Sequence, residues 1–299
     1  MMGGSTPEVS IVMPCLNEAE TLGVCIQKAH AAIQAHRLHA EVIVADNGSD
    51  DGSPELARVL GAHVVYAPLK GYGAALMAGI EAADGTYVVM GDADDSYDFG
   101  AIFPLIEKLR QGYDLVMGCR FPSGGGTLMP GAMSWTHRWG NPILNKINRL
   151  FFHSPVFDSY CGLRAFRRDA IMGLDLRMVG MEFAYEMVIK ATLRGLRIAQ
   201  LPITLYQDGR THHPPHLRTW RDGWRTLRFM LLYSPTWLFL IPGSVLFVLG
   251  GIFGSLLLVS PVHIFGVWFD TNTLLVCAMM MLIGFTPKWP LNFKNWRIF

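Results

Sequence analysis

The chain has 299 residues, a formal net charge of +1, a pI near 7.7, 51% hydrophobic residues and a mean hydropathy of +0.28. A balance this close to neutral gives no global field to gather nucleic acid, and the length allows one large domain or one domain plus an appendage. The apolar excess sits after Tyr233, where residues 237–259 carry no charged side chain and are long enough to cross a bilayer as a helix.

Residues 9–14 form a short apolar strand ending in Pro14, and Cys15-Leu16-Asn17-Glu18 leads into a helical pattern over residues 20–36. A second strand over 41–45 runs into the polar, glycine-rich stretch from Asp46 to Ser53, a strand-to-helix turn whose helix, 54–60, is expected to take its cap from Ser53. A strand at 63–66, the loop Leu69-Lys70-Gly71-Tyr72-Gly73 and a helix at 74–83 follow. Residues 86–90, apolar and rich in β-branched side chains between Gly85 and Gly91, read as a central strand of a parallel sheet. A helix at 101–110 and a strand at 114–118 complete an alternation that is the signature of a parallel α/β sheet. Every polar loop falls at a strand's carboxyl end, so one ligand cleft is expected, lined by Asn17, Glu18, Asp46, Asn47, Lys70, Asp92 and Asp94.

The central strand stops at Asp92-Ala93-Asp94-Asp95. In extended chain Asp92 and Asp94 point to the same side and can bracket one divalent cation, leaving sites for water and phosphate oxygens, which suits Mg²⁺ or Mn²⁺ holding a diphosphate. A solvated acidic turn is the plainer reading of so short a motif.

Residues 130–157 place Trp135, Trp139, Leu144, Ile147, Leu150, Phe151 and Phe152 at roughly helical spacing. The expectation is a helix whose apolar face packs on the sheet; any exposed part of that face would meet a bilayer or a lipid chain. His212 and His213 lack a third ligand at suitable spacing and read as solvent or phosphate contacts. Over residues 217–233, Arg218, Arg221, Arg225 and Arg228 form one helical face and Trp220 and Trp224 another, the pattern of a helix lying at an anionic membrane surface. After the first apolar run, a second over 262–285, interrupted by Asp270 and Asn272, is expected to span as well. Basic residues flank the pair on both outer sides, with Lys288, Lys294 and Arg297 after it, so a hairpin with both ends in the cytoplasm is expected. Five cysteines, Cys15, Cys25, Cys119, Cys161 and Cys277, show no CxxC pair and read as reduced thiols, and residues 1–7 hold no apolar core of a signal peptide.

With these residues in view, the sequence resembles the family 2 glycosyltransferases of GT-A fold, and within them the polyprenyl-phosphate sugar synthases related to dolichol-phosphate mannose synthase. Val12-Met13-Pro14-Cys15-Leu16-Asn17-Glu18 is similar to the opening P-x-x-N-E turn, Val44-Ala45-Asp46-Asn47-Gly48-Ser49 to the V-D-D-G-S loop, and Lys70-Gly71-Tyr72-Gly73 to K-G-x-G. Asp92-Ala93-Asp94 matches the D-A-D metal motif and Met117-Gly118-Cys119-Arg120 resembles the G-S-R strand end. Cys161-Gly162-Leu163-Arg164-Ala165-Phe166-Arg167-Arg168 looks like G-F-R-A-F-R-R, and Gly180-Met181-Glu182-Phe183 like G-Y-E-F. Asn47 stands where a second Asp is common, and Asp95-Ser96-Tyr97-Asp98 departs from the usual continuation.

The resemblance implies an α/β GT-A catalytic domain, Rossmann-like with a mostly parallel sheet, over residues 1–208, a basic interfacial region over 209–235, a transmembrane helical hairpin over 236–285 and a cytoplasmic tail over 286–299. It implies a nucleotide pocket of Pro14, Asn17, Glu18, Asp46, Asn47, Lys70, Gly71 and Asp92, with Asp92 and Asp94 on Mg²⁺ or Mn²⁺. Carboxylates such as Asp46 suit ring N–H or ribose hydroxyl donors, and Lys70 with its glycine loop suits phosphate. The expected activity is inverting transfer of a hexose from a UDP- or GDP-sugar to a polyprenyl phosphate at the cytoplasmic face of a bacterial or archaeal plasma membrane, with a homo-oligomer left open. A lipid phosphate already presents an anionic oxygen at pH 7 and needs positioning rather than a base. Asp94, Arg120, Arg164 and Glu182 are the catalytic candidates, Glu182 serving as base if the acceptor is instead a hydroxyl of a glycolipid or polysaccharide, or else as a helix cap. Arg167 and Arg168 stand behind the first two arginines. The Q-x-x-R-W motif of processive synthases is not found. A non-catalytic sensor of sugar nucleotides would keep the pocket and not need Arg120 and Arg164.

Overall fold

Strand residues that alternate between two apolar layers set the architecture. In the computed structural model, which describes residues 6–211, 219–234, 236–259, 262–264, 267–269 and 271–284, the chain divides into two units, Met1–Leu227 and Arg228–Phe299. His212, His213, Arg218, Asp270 and the basic tail lie outside the described residues.

The first unit runs β1 (Val9–Cys15), α1 (Leu22–Ala35), β2 (Ala40–Asp46), α2 (Ser53–Val59), β3 (His63–Tyr66), α3 (Tyr72–Ala82), β4 (Tyr87–Met90), α4 (Ile102–Arg110), β5 (Leu115–Cys119), β6 (Thr127–Leu128), α5 (Trp135–Phe152), β7 (Arg164–Arg167), α6 (Arg168–Met172), α7 (Phe183–Leu193), β8 (Ile198–Pro202) and β9 (Thr204–Leu205). α8 (Thr219–Tyr233) then crosses the boundary between the units, which falls beyond the expected domain end at 208. The seven-stranded sheet has the order β3-β2-β1-β4-β7-β5-β8, parallel except for β7, which runs antiparallel between β4 and β5. Ile11 and Met13 of β1 face a layer made by α1 and α4, while Val12 faces Leu76 and Ile80 of α3 and Phe183 and Met187 of α7. That alternation is the period of two that a strand buried on both faces requires. Successive strands step outward from β1 to β3 and then return to β4 on the other side of β1, so the carboxyl ends of β1 and β4 flank a crevice at the point where the order reverses.

Two local expectations change. Gly52 in left-handed conformation caps α2, and the N–H of Ser53 donates instead to Asp51 Oδ1 at 3.0 Å, leaving Ser53 Oγ to accept from the N–H of Glu18 at 3.0 Å. Ser53 thus ties the β2 loop to the β1 loop. α5 has an exposed apolar stripe beside a mixed inner face: Trp135 and Trp139 are 75% and 62% exposed, with Ile143 and Leu150 in line with them, while Asn145, Asn148 and Phe152 are buried and Leu144, Ile147 and Phe151 half-buried. Asn145 Oδ1 accepts from Tyr185 Oη at 2.8 Å and from the N–H of Ser159 at 3.0 Å, and Asn148 Nδ2 donates to Ser159 Oγ at 3.1 Å. These bonds satisfy the groups of α7 and of the loop before β7 that face α5, while Asn145 Nδ2 and Asn148 Oδ1 have no hydrogen-bond partner among the described residues.

In the second unit, α9 (Ile241–Val259) continues a π-helical turn at Thr236–Leu240, and Thr236–Leu258 is, among the described residues, the one helix long and apolar enough to cross a membrane. Among the described residues no second helix of that length follows. β10 (Val262–Ile264) and β11 (Val267–Phe269) make a short antiparallel ribbon, and α10 (Thr271–Gly284) has 14 residues, which at 1.5 Å each is about 21 Å and short of the roughly 30 Å hydrocarbon core. α10 packs along α9, with Gly254 facing Cys277. All five cysteines are free and buried.

Gly79 of α3 lies so close to the sheet that a Cβ there would sit 2.4 Å from Val12 Cγ1 and 3.2 Å from Ala45 Cβ. Gly79→Ala gains about 1 kcal/mol of helix propensity but forces a buried β-branched neighbour aside, so a net loss of about 1–2 kcal/mol is expected. Thermal melting of the full chain in detergent checks it.

Candidate active site

β4 delivers Asp92 and Asp94 to the floor of a cleft of about 520 Å³ that is also lined by Pro14, Glu18, Asn47, Lys70, Gly71, Tyr72, Gly180, Met181, Arg210, Arg221 and Arg225. Tyr72 Oη donates to Asp92 Oδ1 at 2.7 Å, and Ser96 Oγ and N–H donate to Asp94 Oδ1 at 2.6 and 3.1 Å. Burial, then the charge of Asp94, pushes the Asp92 carboxyl up from its ordinary range, opposed by the Tyr72 hydrogen bond and by Arg120 and Arg164; burial also pushes Asp94 up. Two hard carboxylates that are each unfavourably charged beside the other fit a divalent cation well. Among the described residues no cluster of three or more His, Cys, Asp or Glu surrounds them, so water and phosphate oxygens would complete the coordination. Two loops at the cleft take uncommon backbone conformations: Asn17, after β1, and Asp95, beside Asp94, both have positive φ, 57° and 61°.

The donor-side loops are cross-braced. Asn47 Nδ2 donates to Leu69 O at 2.7 Å, its Oδ1 accepts from Gly71 N–H at 2.7 Å, and Lys70 Nζ donates to Asn47 O at 2.7 Å. Asn47, standing where Asp is common, holds the Lys70-Gly71-Tyr72-Gly73 loop with a donor and an acceptor, which a carboxylate could not do. Gly71 has φ +139° and a Cβ there would meet Val179 O at 2.2 Å, so only glycine fits. Asp46 and Asn17 do not line the cleft. Asp46 Oδ2 accepts from the N–H groups of Gly48 and Ser49 at 2.9 and 3.2 Å, and Asn17 Oδ1 accepts from Asp50 N–H at 2.9 Å, so both fasten loops beside the pocket.

The arginines are distributed differently from the expectation. Arg120 is buried and gives Asp158 two side-chain hydrogen bonds of 2.8 Å, and Arg164, fully buried, donates to Cys161 O, Ala184 O and Ser159 O at 2.8, 2.9 and 2.7 Å. Neither lines the cleft, and both act on Asp92 through their charge. Arg167 pairs with Asp169 and Arg168 with the carbonyls of Ile80 and Glu81. The arginines that do line it are Arg221 and Arg225 of α8, and Arg210 in the loop after β9. Glu182 is buried at the start of α7: Oε1 accepts from Arg225 Nη2 at 2.6 Å, and Oε2 has no hydrogen-bond partner among the described residues. Sequence reading placed Arg221 and Arg225 at a membrane surface and passed over Arg210; a basic face beginning right after a loop rich in Asp, Gly and Arg was the available signal.

Because Asp158 has Arg120 as its charge partner inside the protein, Asp158→Ala leaves a buried cation unpaired, at an expected cost of about 3–5 kcal/mol, or roughly 6–15 °C in melting temperature. Arg167→Ala, which removes a pair with the exposed Asp169, is expected to shift melting by no more than about 2 °C. Parallel melting curves of the two variants check the contrast.

The family description "Glycosyl transferase family 2" matches residues 10–174. The low-salt glycan biosynthesis hexosyltransferase Agl6 of Haloferax volcanii is 38% identical over 282 residues, covering 93% of this chain, which spans 66% of that relative's length, just under two thirds. A dolichyl-phosphate hexose transferase of the same organism is 31% identical, over 66% of this chain and 82% of its own. Among solved structures, glucosyl-3-phosphoglycerate synthase from Mycobacterium tuberculosis with Mn²⁺, UDP-glucose and phosphoglyceric acid aligns with a TM-score of 0.60 at 22% identity, over 76% of this chain and 80% of that one, a likeness of fold alone. The mostly parallel sheet with a carboxylate pair at its switch point and the match over more than half the length together make the chain a glycosyltransferase, a member of glycosyl transferase family 2.

Proposed function

We propose that the protein transfers a hexose from a nucleoside-diphosphate sugar to a polyprenyl phosphate at a membrane surface, with inversion at the anomeric carbon. The observation that carries this reading is that one cleft holds both the Asp92–Asp94 pair and the guanidinium groups of Arg221 and Arg225, which belong to the helix preceding the apolar segment Thr236–Leu258 in the sequence. Lys70 and the braced glycine loop suit the donor diphosphate, and a divalent cation held by Asp92 and Asp94 would neutralise charge on the departing nucleoside diphosphate. Arg221 and Arg225 replace Arg120 and Arg164 as the groups for the acceptor phosphate: their planar forks can bind and orient an anionic oxygen that needs no base. In-line attack by that oxygen, opposite the departing diphosphate, inverts the carbon. Arg120 and Arg164 act as positioning residues that moderate the charge on Asp92.

The outward stripe of α5 supports the lipid side of the reading. Trp135, Trp139, Ile143 and Leu150 are exposed in one row, bordered by the exposed Arg138, Lys146 and Arg149, the composition of a helix resting on an anionic bilayer. The exposed Trp220 and Trp224 of α8 have the same character. The name of the dolichyl-phosphate hexose transferase is in keeping with it, and that of Agl6 with transfer of a hexose.

Membranes containing the protein are expected to move radiolabel from UDP-glucose or GDP-mannose, with Mn²⁺ or Mg²⁺, into a mild-acid-labile lipid, and Asp94→Ala to abolish that label. Arg225→Ala should cut transfer by about 10²-fold or more. Nucleotide binding without lipid label from either donor would sink the polyprenyl-phosphate reading in favour of a hydroxyl acceptor.

A further inference from the structure

Arg210 is a cation built into the acidic end of the cleft. Its Nη1 donates to Glu18 Oε1 at 2.9 Å, its Nη2 reaches Asp94 Oδ2 at 3.5 Å, and Asp208 braces the guanidinium from its own loop. The side chain is only 9% exposed and lines the cleft. The loop that carries it is sewn to the metal loop by backbone hydrogen bonds, Tyr206 N–H to Ser96 O and Gly209 N–H to Asp94 O, both 2.9 Å, and Thr211 N–H donates to Glu20 Oε2 at 2.8 Å. Gly209 is needed for that approach, since a Cβ would press on Thr21 Cγ2 at 3.1 Å and Asp95 Cβ at 3.3 Å.

The contacts are graded. Glu18 and Asp208 are held firmly, and Asp94 sits at the outer limit of a hydrogen bond, so the link to Asp94 is the one most readily given up. A metal ion and a guanidinium sharing Asp94 would repel each other unless an anion lay between them, and a diphosphate is such an anion. We propose that Arg210 is the resident cation of the donor site: it neutralises Asp94 and Glu18 before the donor arrives, yields Asp94 to the divalent cation, and then pairs with diphosphate oxygens. Metal and nucleotide binding are thereby coupled, the metal alone being held weakly and the metal with nucleoside diphosphate strongly.

This inference rests on the reading of Asp92 and Asp94 as metal ligands, and the experiment separates the two. Mn²⁺ binding to the full chain in detergent is measured by electron paramagnetic resonance, with and without UDP. In the wild type UDP is expected to tighten Mn²⁺ binding strongly. In Arg210→Gln, Mn²⁺ alone should bind about tenfold more tightly, and the tightening that UDP adds should shrink by about tenfold. Unchanged or weaker binding of Mn²⁺ alone to Arg210→Gln overturns the proposal. Should that variant fail to melt cooperatively, Arg210→Lys, which keeps a cation but cannot fork across the carboxylates, is expected to bind Mn²⁺ alone about threefold more tightly; no tightening overturns it equally. If Asp94→Asn binds Mn²⁺ as the wild type does, the metal-site reading falls, and the proposal with it.

Discussion

Two carboxylates are held out of water within one short loop, and most of the structure near the cleft responds to that cost. A buried aspartate beside another must be protonated, hydrogen-bonded or met by positive charge. Here the last two are in use: Tyr72 and Ser96 donate hydrogen bonds, Arg210 reaches Asp94 directly, and Arg120 and Arg164 act on Asp92 through space. Arg164 is informative because its partners are carbonyl oxygens rather than a carboxylate. Its charge is solvated by the backbone but not cancelled, so it remains available to the acidic floor. Arg120 is paired with Asp158, which fixes the end of β5, and it still acts on Asp92 through space.

The same economy of polar partners explains the asparagines on the inner face of α5. A helix with a strong apolar stripe ordinarily turns it inward, but the surface it covers offers Tyr185 Oη, Ser159 N–H and Ser159 Oγ. Leucines there would strand those groups without partners, at about 1–3 kcal/mol each. Asn145 and Asn148 satisfy them, and the tryptophans are left outside. An apolar face that wide on the outside has a use only where the surroundings are themselves apolar, which links the inner polar contacts to the lipid side of the proposed function.

How far the sequence announced all this depends on the range of the signal. β1 to β5 were legible almost to the residue, because β1, β2, β4 and β5 are buried on both faces and read as continuous apolar runs ended by polar loops, whereas β6 to β9, with the antiparallel β7 among them, were not read. Pro14, Glu18, Asn47, Lys70, Gly71, Asp92 and Asp94 do line one cleft, because strand ends of a parallel sheet converge there. What local pattern could not convey was the partner of a long side chain. Arg120 sits next to a strand end, where an arginine facing a ligand and one facing a buried acid look alike; its partner Asp158 is 38 residues away and in no motif. The stripe of α5 was legible as a stripe, but periodicity separates two faces without saying which is inside. The second apolar run shows no single long helix among the described residues, because composition over 262–285 averages a β-ribbon and a 14-residue helix into one hydrophobic total.

The glycines of the motifs obey the constraint set by the carboxylates. A Cβ at Gly162 would lie 2.2 Å from Asp92 Oδ2, one at Gly71 would strike Val179 O at 2.2 Å, and one at Gly209 would crowd Thr21 and Asp95. These residues come from three loops far apart in sequence, after β3, before β7 and after β9, yet each lets a backbone close on the acidic centre or on the loop that faces it. The space a side chain would fill at Gly162 is occupied by the carboxylate itself. Spacing within any one motif therefore reflects packing around a shared charged centre, and that is why seven short motifs, each weak alone, fold into a single site.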